Sequence, residues 1–265
     1  MITMKWKIIE WQRKIQKRYR QFLLSVGQCD LCGNNLSSTL TQEPSLCQQT
    51  LDQQTLICSS CFADLPLFKQ EIIQNDSLNW PAINKALPKI NFDHLICLAP
   101  YLPPFTQWLP QLKYQGRFEL ASLLSNSLAR LFTDELLAKY ISSIDLVMSV
   151  PIHSQKWKIR GYNQAHLLAK PLANYLQLPY DETALIRVKN NISQVGKTGN
   201  ERRNNLANAF KLAKKLPCHI KHVLLVDDVL TTGTTANEIS KILKHAGINK
   251  VTVTTACLTL PKSNN

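Results

Sequence analysis

The chain has 265 residues, 45% of them hydrophobic and 18% charged, with 8 Gly, 13 Pro and 8 Cys. There is enough apolar side chain to bury a full core and too little Gly, Pro or Cys per length for a collagen, a disordered chain or a disulfide-stapled miniprotein. Lys and Arg number 31 against 18 Asp and Glu, and this formal charge of +13 points to anionic partners.

No stretch approaches the roughly 18 apolar residues that cross a bilayer, and the run Phe22, Leu23, Leu24 is too short for a signal-peptide core. A cytoplasmic location with reduced thiols is therefore expected. Charge divides the chain into three segments: residues 1–28 carry +6, residues 29–97 carry −4, and residues 98–265 carry +11. Within the last, residues 156–221 hold thirteen basic groups against Asp181, Glu182 and Glu201. Phosphate, in a nucleotide or a nucleic acid, is the natural counterpart. A merely solubilising basic surface is the plainer alternative.

Residues 5–26 predict a basic amphipathic helix. Ile8, Trp11, Ile15, Tyr19, Phe22 and Val26 recur every three or four positions, with Lys7, Arg13, Lys14, Lys17 and Arg18 between them. Such a helix docks on its own domain, or lies on nucleic acid or peripherally on a membrane. Residues 29–65 are too polar to order themselves without a crosslink. Residues 66–91, punctuated by Pro66, Pro81 and Pro88, read as a linker with short helical turns. From there to residue 265 the pattern is a single α/β domain. Strands are expected over 95–99, 146–150, 184–188, 223–226 and 251–258. Helices are expected over 118–140, 162–176 (bent or interrupted near Pro171) and 234–245, with a long polar loop over 189–205. Alternating strands and helices imply a parallel sheet covered on both faces.

Cys29-Asp-Leu-Cys32-Gly33 and Cys58-Ser-Ser-Cys61 are two C-x2-C pairs with twenty-five residues between Cys32 and Cys58. Each tight turn brings two thiolates within chelating reach, and four satisfy a tetrahedral Zn2+ with no position left open for catalysis. The site is thus expected to be structural, with residues 29–65 a zinc-ribbon-like module. Disulfides or a metal-free remnant are the alternatives, and Cys47 could replace one ligand. Cys97, Cys218 and Cys257 sit in or beside apolar strands and read as small buried hydrophobes.

The segment Val223-Leu-Leu-Val-Asp227-Asp228-Val-Leu-Thr231-Thr232-Gly233-Thr234-Thr235 carries the most chemistry. An apolar strand delivers two adjacent carboxylates where open parallel sheets bind ligands, and a loop of hydroxyls and one glycine then opens a helix. Loop amides and the helix amino end favour a phosphate dianion, and the carboxylates suit the vicinal hydroxyls of a ribose, directly or through Mg2+. A ribose 5-phosphate fits this pattern. Gly196-Lys197-Thr198 imitates the end of a Walker A loop, but Asn191 stands where that loop requires glycine.

This segment resembles the phosphoribosyl pyrophosphate (PRPP) motif of type I phosphoribosyltransferases. Further stretches narrow the resemblance to the ComF/GntX family: Lys113-Tyr-Gln-Gly116-Arg117, Val150-Pro151, Arg160-Gly161-Tyr162-Asn163-Gln164-Ala165, Ser193-Gln194 and Glu201-Arg202-Arg203-Asn204, together with the cysteine knuckles. The resemblance implies a type I phosphoribosyltransferase-like parallel sheet with helices on both faces and a small N-terminal zinc-ribbon-like module. It implies that Asp227 and Asp228 bind ribose hydroxyls and that Thr231, Thr232, Gly233, Thr234 and Thr235 hold the 5-phosphate. A basic loop with Lys156, Lys158 and Arg160 would face pyrophosphate, and the 189–205 loop with Gln194, Arg202 and Arg203 would be a mobile cover. Lys197 stands where leucine is expected in that cover.

Two functions follow. One is a catalytic phosphoribosyltransferase moving phosphoribosyl from PRPP to a nitrogenous base, with Mg2+ and cations stabilising the leaving pyrophosphate. The other, favoured, is a DNA-handling protein of natural transformation that binds PRPP or a nucleotide together with single-stranded DNA, beside a helicase or recombination mediator. Trp6, Trp11, Trp157 and Tyr162 among basic neighbours fit single-strand binding by charge and stacking.

Overall fold

The computed structural model describes residues 27–36, 56–87, 90–132, 143–188 and 208–260. The expected helix over 5–26, Cys47, and the cover-loop residues Gln194, Lys197, Arg202 and Arg203 lie outside the described residues.

Four strands form one parallel sheet: β1 (His94–Pro100), β2 (Leu146–Ser149), β5 (His222–Leu230) and β6 (Lys250–Leu258), in the order β1-β6-β5-β2. β5 and β6 are near-continuous runs of buried residues because both faces of the central sheet are covered. On one face lie α4 (Phe105–Tyr114), α5 (Glu119–Leu131) and α7 (Gln164–Tyr175), packing Leu109, Leu112, Leu124, Leu168 and Leu172 against Ile96, Leu224 and Val226. On the other lies α8 (Thr234–His245), whose Ile239 and Leu243 pack with Leu95, Leu225 and Val253. The helices after β1 and β2 thus cover one face and the helix after β5 covers the other. The carboxyl end of β5 is the position at which open α/β sheets bind ligands.

Among the described residues, three short helical pieces precede β1: α1 (Ser59–Ala63), α2 (Gln70–Ile73) and α3 (Pro81–Ala86), with a 3-10 turn at Ser77–Asn79. The stretch read as a linker also seals the edge of β1. Phe68 N donates to Leu98 O at 3.0 Å, the Gln70 amide donates to Cys97 O at 3.4 Å, and Leu95 N donates to the Asp76 carboxylate at 3.1 Å. It buries Ile83 and Leu87 on the α8 face. The opposite edge is closed where Val147 N donates to Pro179 O at 2.9 Å. Neither edge is left as a template for another strand.

Several local expectations are corrected. β5 runs on to Leu230 rather than stopping at residue 226, so both aspartates lie inside the strand. α4 is not among the expected helices, and Pro110 sits within it. The expected basic loop is helix α6 (Ser154–Arg160), capped by His153 and by Gly161 in the left-handed region. Pro171 lies inside α7 without ending it. The strand expected over 184–188 is β3 (Leu185–Arg187), and it pairs antiparallel with β4 (Phe210–Leu212) apart from the main sheet. Cys97 and Cys257 are buried as expected, but Cys218 is exposed in the turn before β5. Among the described residues, no helix is long and apolar enough to cross a membrane.

Candidate functional site

The turn after β5 is set by Gly233, which has φ +69° and caps α8. An L side chain is strained there, and a Cβ would come within 2.9 Å of Leu87 Cδ2. Because glycine offers no side-chain cap, the first-turn amides of α8 stay available to an outside acceptor at the positive end of the helix dipole. Thr231 and Thr232 are exposed beside them, and the Thr232 and Thr234 hydroxyls are 2.8 Å apart. Thr234 and Thr235, half-buried, open the helix.

Successive strand residues point to opposite faces, so Asp227 and Asp228 are separated rather than paired in one direction. Asp228, 3% exposed, turns toward the face covered by α4 and α7. There it forms an ion pair with Lys113 Nζ and accepts from Gln164 Nε2 at 3.1 Å. The carbonyl oxygen of Gln164 in turn accepts from Arg160, whose guanidinium lies over the Tyr114 ring at 5.1 Å. A chain Lys113, Asp228, Gln164, Arg160 therefore ties α4, β5, α7 and α6 together. Asp227 is half-buried, and its carboxyl accepts from Asp228 N at 2.9 Å. Burial and the neighbouring Asp228 push its pKa well above the usual carboxylate range.

Four cations surround this pair. Burial opposes the charge of Lys113, but Asp228 outweighs it and raises the pKa. Lys156 is shifted down, by burial and then by Arg187, Arg160 and Lys113. Arg187 is likewise lowered by burial, against the attraction of Asp227. Lys156 is thus crowded by Arg187, Arg160 and Lys113 in a way that an anion placed among them would relieve. Of the three expected pyrophosphate-facing residues, Lys156 and Arg160 lie one turn apart on one side of α6. Lys158, two positions from each, lies on the opposite side and is exposed. Lys113 and Gln164 stand inside motifs visible in the sequence without a role assigned to them. Arg187 gave no such signal, since nothing in a three-residue strand marks the face it will occupy.

The cysteine knuckles meet. Cys29, Cys32, Cys58 and Cys61 place their sulfurs within 4.8 Å of one another, with Cys32 and Cys58 Sγ 3.8 Å apart. Tetrahedral metal–sulfur bonds of about 2.3 Å require sulfur–sulfur edges of about 3.8 Å, so the four residues fit a thiolate-bound metal. Burial opposes ionisation of Cys29, but the backbone amides of Cys32, Cys58 and Leu31 outweigh it and lower the thiol to about 6. Inside this knuckle, Asp30 accepts from Arg117 at 2.7 and 3.0 Å. Arg117, 6% exposed, also donates to Glu119 at 2.8 Å and Gln111 at 2.7 Å. Cys29, Leu56, Ile57 and Leu65 join the core under α4 and α5. The module is locked to the domain four residues from Lys113.

Residues 163–264 match the sequence pattern of the phosphoribosyl transferase domain. The chain is 32% identical over 238 residues to the DNA utilization protein YhgH of Salmonella typhimurium, covering 88% of this chain and 98% of that protein. It is 30% identical to competence protein F of Haemophilus influenzae, covering 85% and 94% respectively. With competence protein ComFC of Streptococcus pneumoniae the identity is 25%, over 84% and 96%.

Removing the cation from a buried carboxylate leaves an uncompensated charge, and Lys113 is 23% exposed, so the cost is reduced by residual solvation. Lys113→Met is expected to lower stability in urea unfolding by about 2 kcal/mol. Lys113→Met combined with Asp228→Asn should cost at least about 1 kcal/mol less than the sum of the single changes. Simple additivity would show that the pair is not coupled.

Proposed function

The chain belongs to the ComF family, and from that premise we propose that it is a phosphoribosyltransferase-fold protein of DNA uptake and utilisation. In this reading PRPP, or the ribose 5-phosphate of a nucleotide, binds at the carboxyl end of β5. The observation that carries it is the uncapped start of α8 set beside a buried carboxylate and a crowd of cations. The 5-phosphate accepts from the amides and hydroxyls of Thr231 to Thr235, and the ribose hydroxyls donate to Asp227 and Asp228. The diphosphate lies toward Lys156, Arg160, Lys113 and Arg187. Gln164 holds Asp228 in place, because its amide donates to that carboxylate while its carbonyl oxygen is held by Arg160.

Mg2+ fits as an ion carried by the ligand. Lys113 and Gln164 already engage Asp228, so the protein supplies mainly Asp227 to a hard cation that takes most of its oxygens from phosphate and water. When bound it would neutralise diphosphate charge. The relatives' names for DNA utilization and competence support the DNA role. Single-stranded DNA is the proposed macromolecular ligand, with a competence helicase or recombination mediator as the protein partner and the cytoplasm, where thiols stay reduced, as the location.

Titration calorimetry with PRPP and Mg2+ tests the cleft. Wild type should bind, while Asp228→Ala and, independently, Thr232→Ala with Thr234→Ala should each bind at least about tenfold more weakly, a loss of about 1.4 kcal/mol. Unchanged affinity in both variants would place the ligand elsewhere.

The proposed metal at the four cysteines is structural zinc. Metal analysis should find one equivalent of zinc per chain; less than about half an equivalent, with thiols reduced, would contradict it.

A further inference from the structure

None of the residues of helix α6 is buried. Seven residues do not hold a helix by propensity alone, so the caps matter: the His153 ring accepts from Gln155 N at 3.2 Å, and Gly161 closes the end at φ +82°. The caps fix a short rigid post that stands on the surface. Its outward side chains are unusual for such a place, with Trp157 at 50% and Ile159 at 67% exposure.

The neighbouring surface continues the theme. Tyr114, 65% exposed, lies beneath the Arg160 guanidinium, and Phe118, 46% exposed, packs edge-on against Tyr162 with centroids 4.7 Å apart. Aromatic groups are thus interleaved with Lys156, Lys158 and Arg160 on and around α6. A protein-binding patch would gather its apolar groups in a centre depleted of lysine. Alternation of ring and cation instead matches a strand in which bases alternate with phosphates. A duplex keeps its bases stacked inside and offers these rings nothing.

We propose that α6, with Tyr114 and Phe118, is a base-stacking platform for single-stranded DNA on the rim of the ribose-phosphate cleft. Trp157 and Tyr114 stack on bases. Lys158, on the side of α6 away from the cleft, contacts the backbone phosphates of the strand. The proposal rests on the DNA-handling reading above and gives it an address separate from the PRPP cleft.

Fluorescence anisotropy with a labelled single-stranded oligothymidylate, over a series of salt concentrations, tests it, with PRPP calorimetry on the same proteins. Trp157→Ala and Tyr114→Ala change exposed side chains, and each should weaken binding about tenfold at every salt concentration. Trp157→Phe should stay within about twofold of wild type, because a ring remains. Lys158→Ala should reduce the magnitude of the log–log salt slope by about 0.7, the value for one single-strand phosphate contact. Trp157→Ala should bind PRPP as wild type does. Wild-type affinity in both ring variants, equal affinity for a duplex of the same length, or no oligonucleotide binding by wild type at low salt would each overturn the platform. The PRPP titration reads the cleft separately: oligonucleotide loss with PRPP binding intact removes the platform alone.

Discussion

Asp228 is 3% exposed, and a carboxylate so buried needs a partner, which it finds in the ion pair with Lys113 at the end of α4. Much of the site's geometry follows from this pair. It fixes where α4 ends relative to β5 and, through Gln164, aligns the start of α7 and the Arg160 end of α6. Asp227 has its proton favoured by burial and by the neighbouring Asp228, against the attraction of Lys113.

A second ion pair carries the same logic to the cysteine module. Arg117 enters the turn between Cys29 and Cys32 to reach Asp30, while Gln111 and Glu119 also accept hydrogen bonds from its guanidinium. Lys113 and Arg117 are separated by one tight turn through Gly116, which takes φ +68°. The segment Lys113-Tyr-Gln-Gly116-Arg117 is therefore a strap, with the buried carboxylate of the cleft at one end and the metal-ligand knuckle at the other. Residues 66–87 play the matching part on the far side, seating Leu87 against Gly233 so that the turn opening α8 is packed from behind.

The core strands were legible because parallel, doubly covered strands are plain apolar runs, and Val223 to Val226 could hardly be anything else. The phosphate turn was legible because glycine and clustered hydroxyls before a helical period have few other uses. The cysteine spacing announced its own cluster. What the sequence concealed depended on packing from elsewhere. The extension of β5 through two aspartates runs against strand propensity and is held by pairing with β6. α4 contains a proline that local rules treat as a stop, yet Phe105, Trp108, Leu109 and Leu112 are all buried and hold the helix together. α6 has no buried stripe for periodicity to find. Arg187 reaches the cleft only because β3 and β4 form a separate hairpin, a long-range placement with no local trace.

The central claim is that the start of α8 and the carboxyl end of β5 form a ribose-phosphate cradle. Amide hydrogen exchange with and without PRPP and Mg2+ tests it most directly, since the amides of residues 231–235 are the proposed donors. The account predicts slowed exchange concentrated there and around Asp228. Slowing at other segments with residues 231–235 unchanged would contradict it.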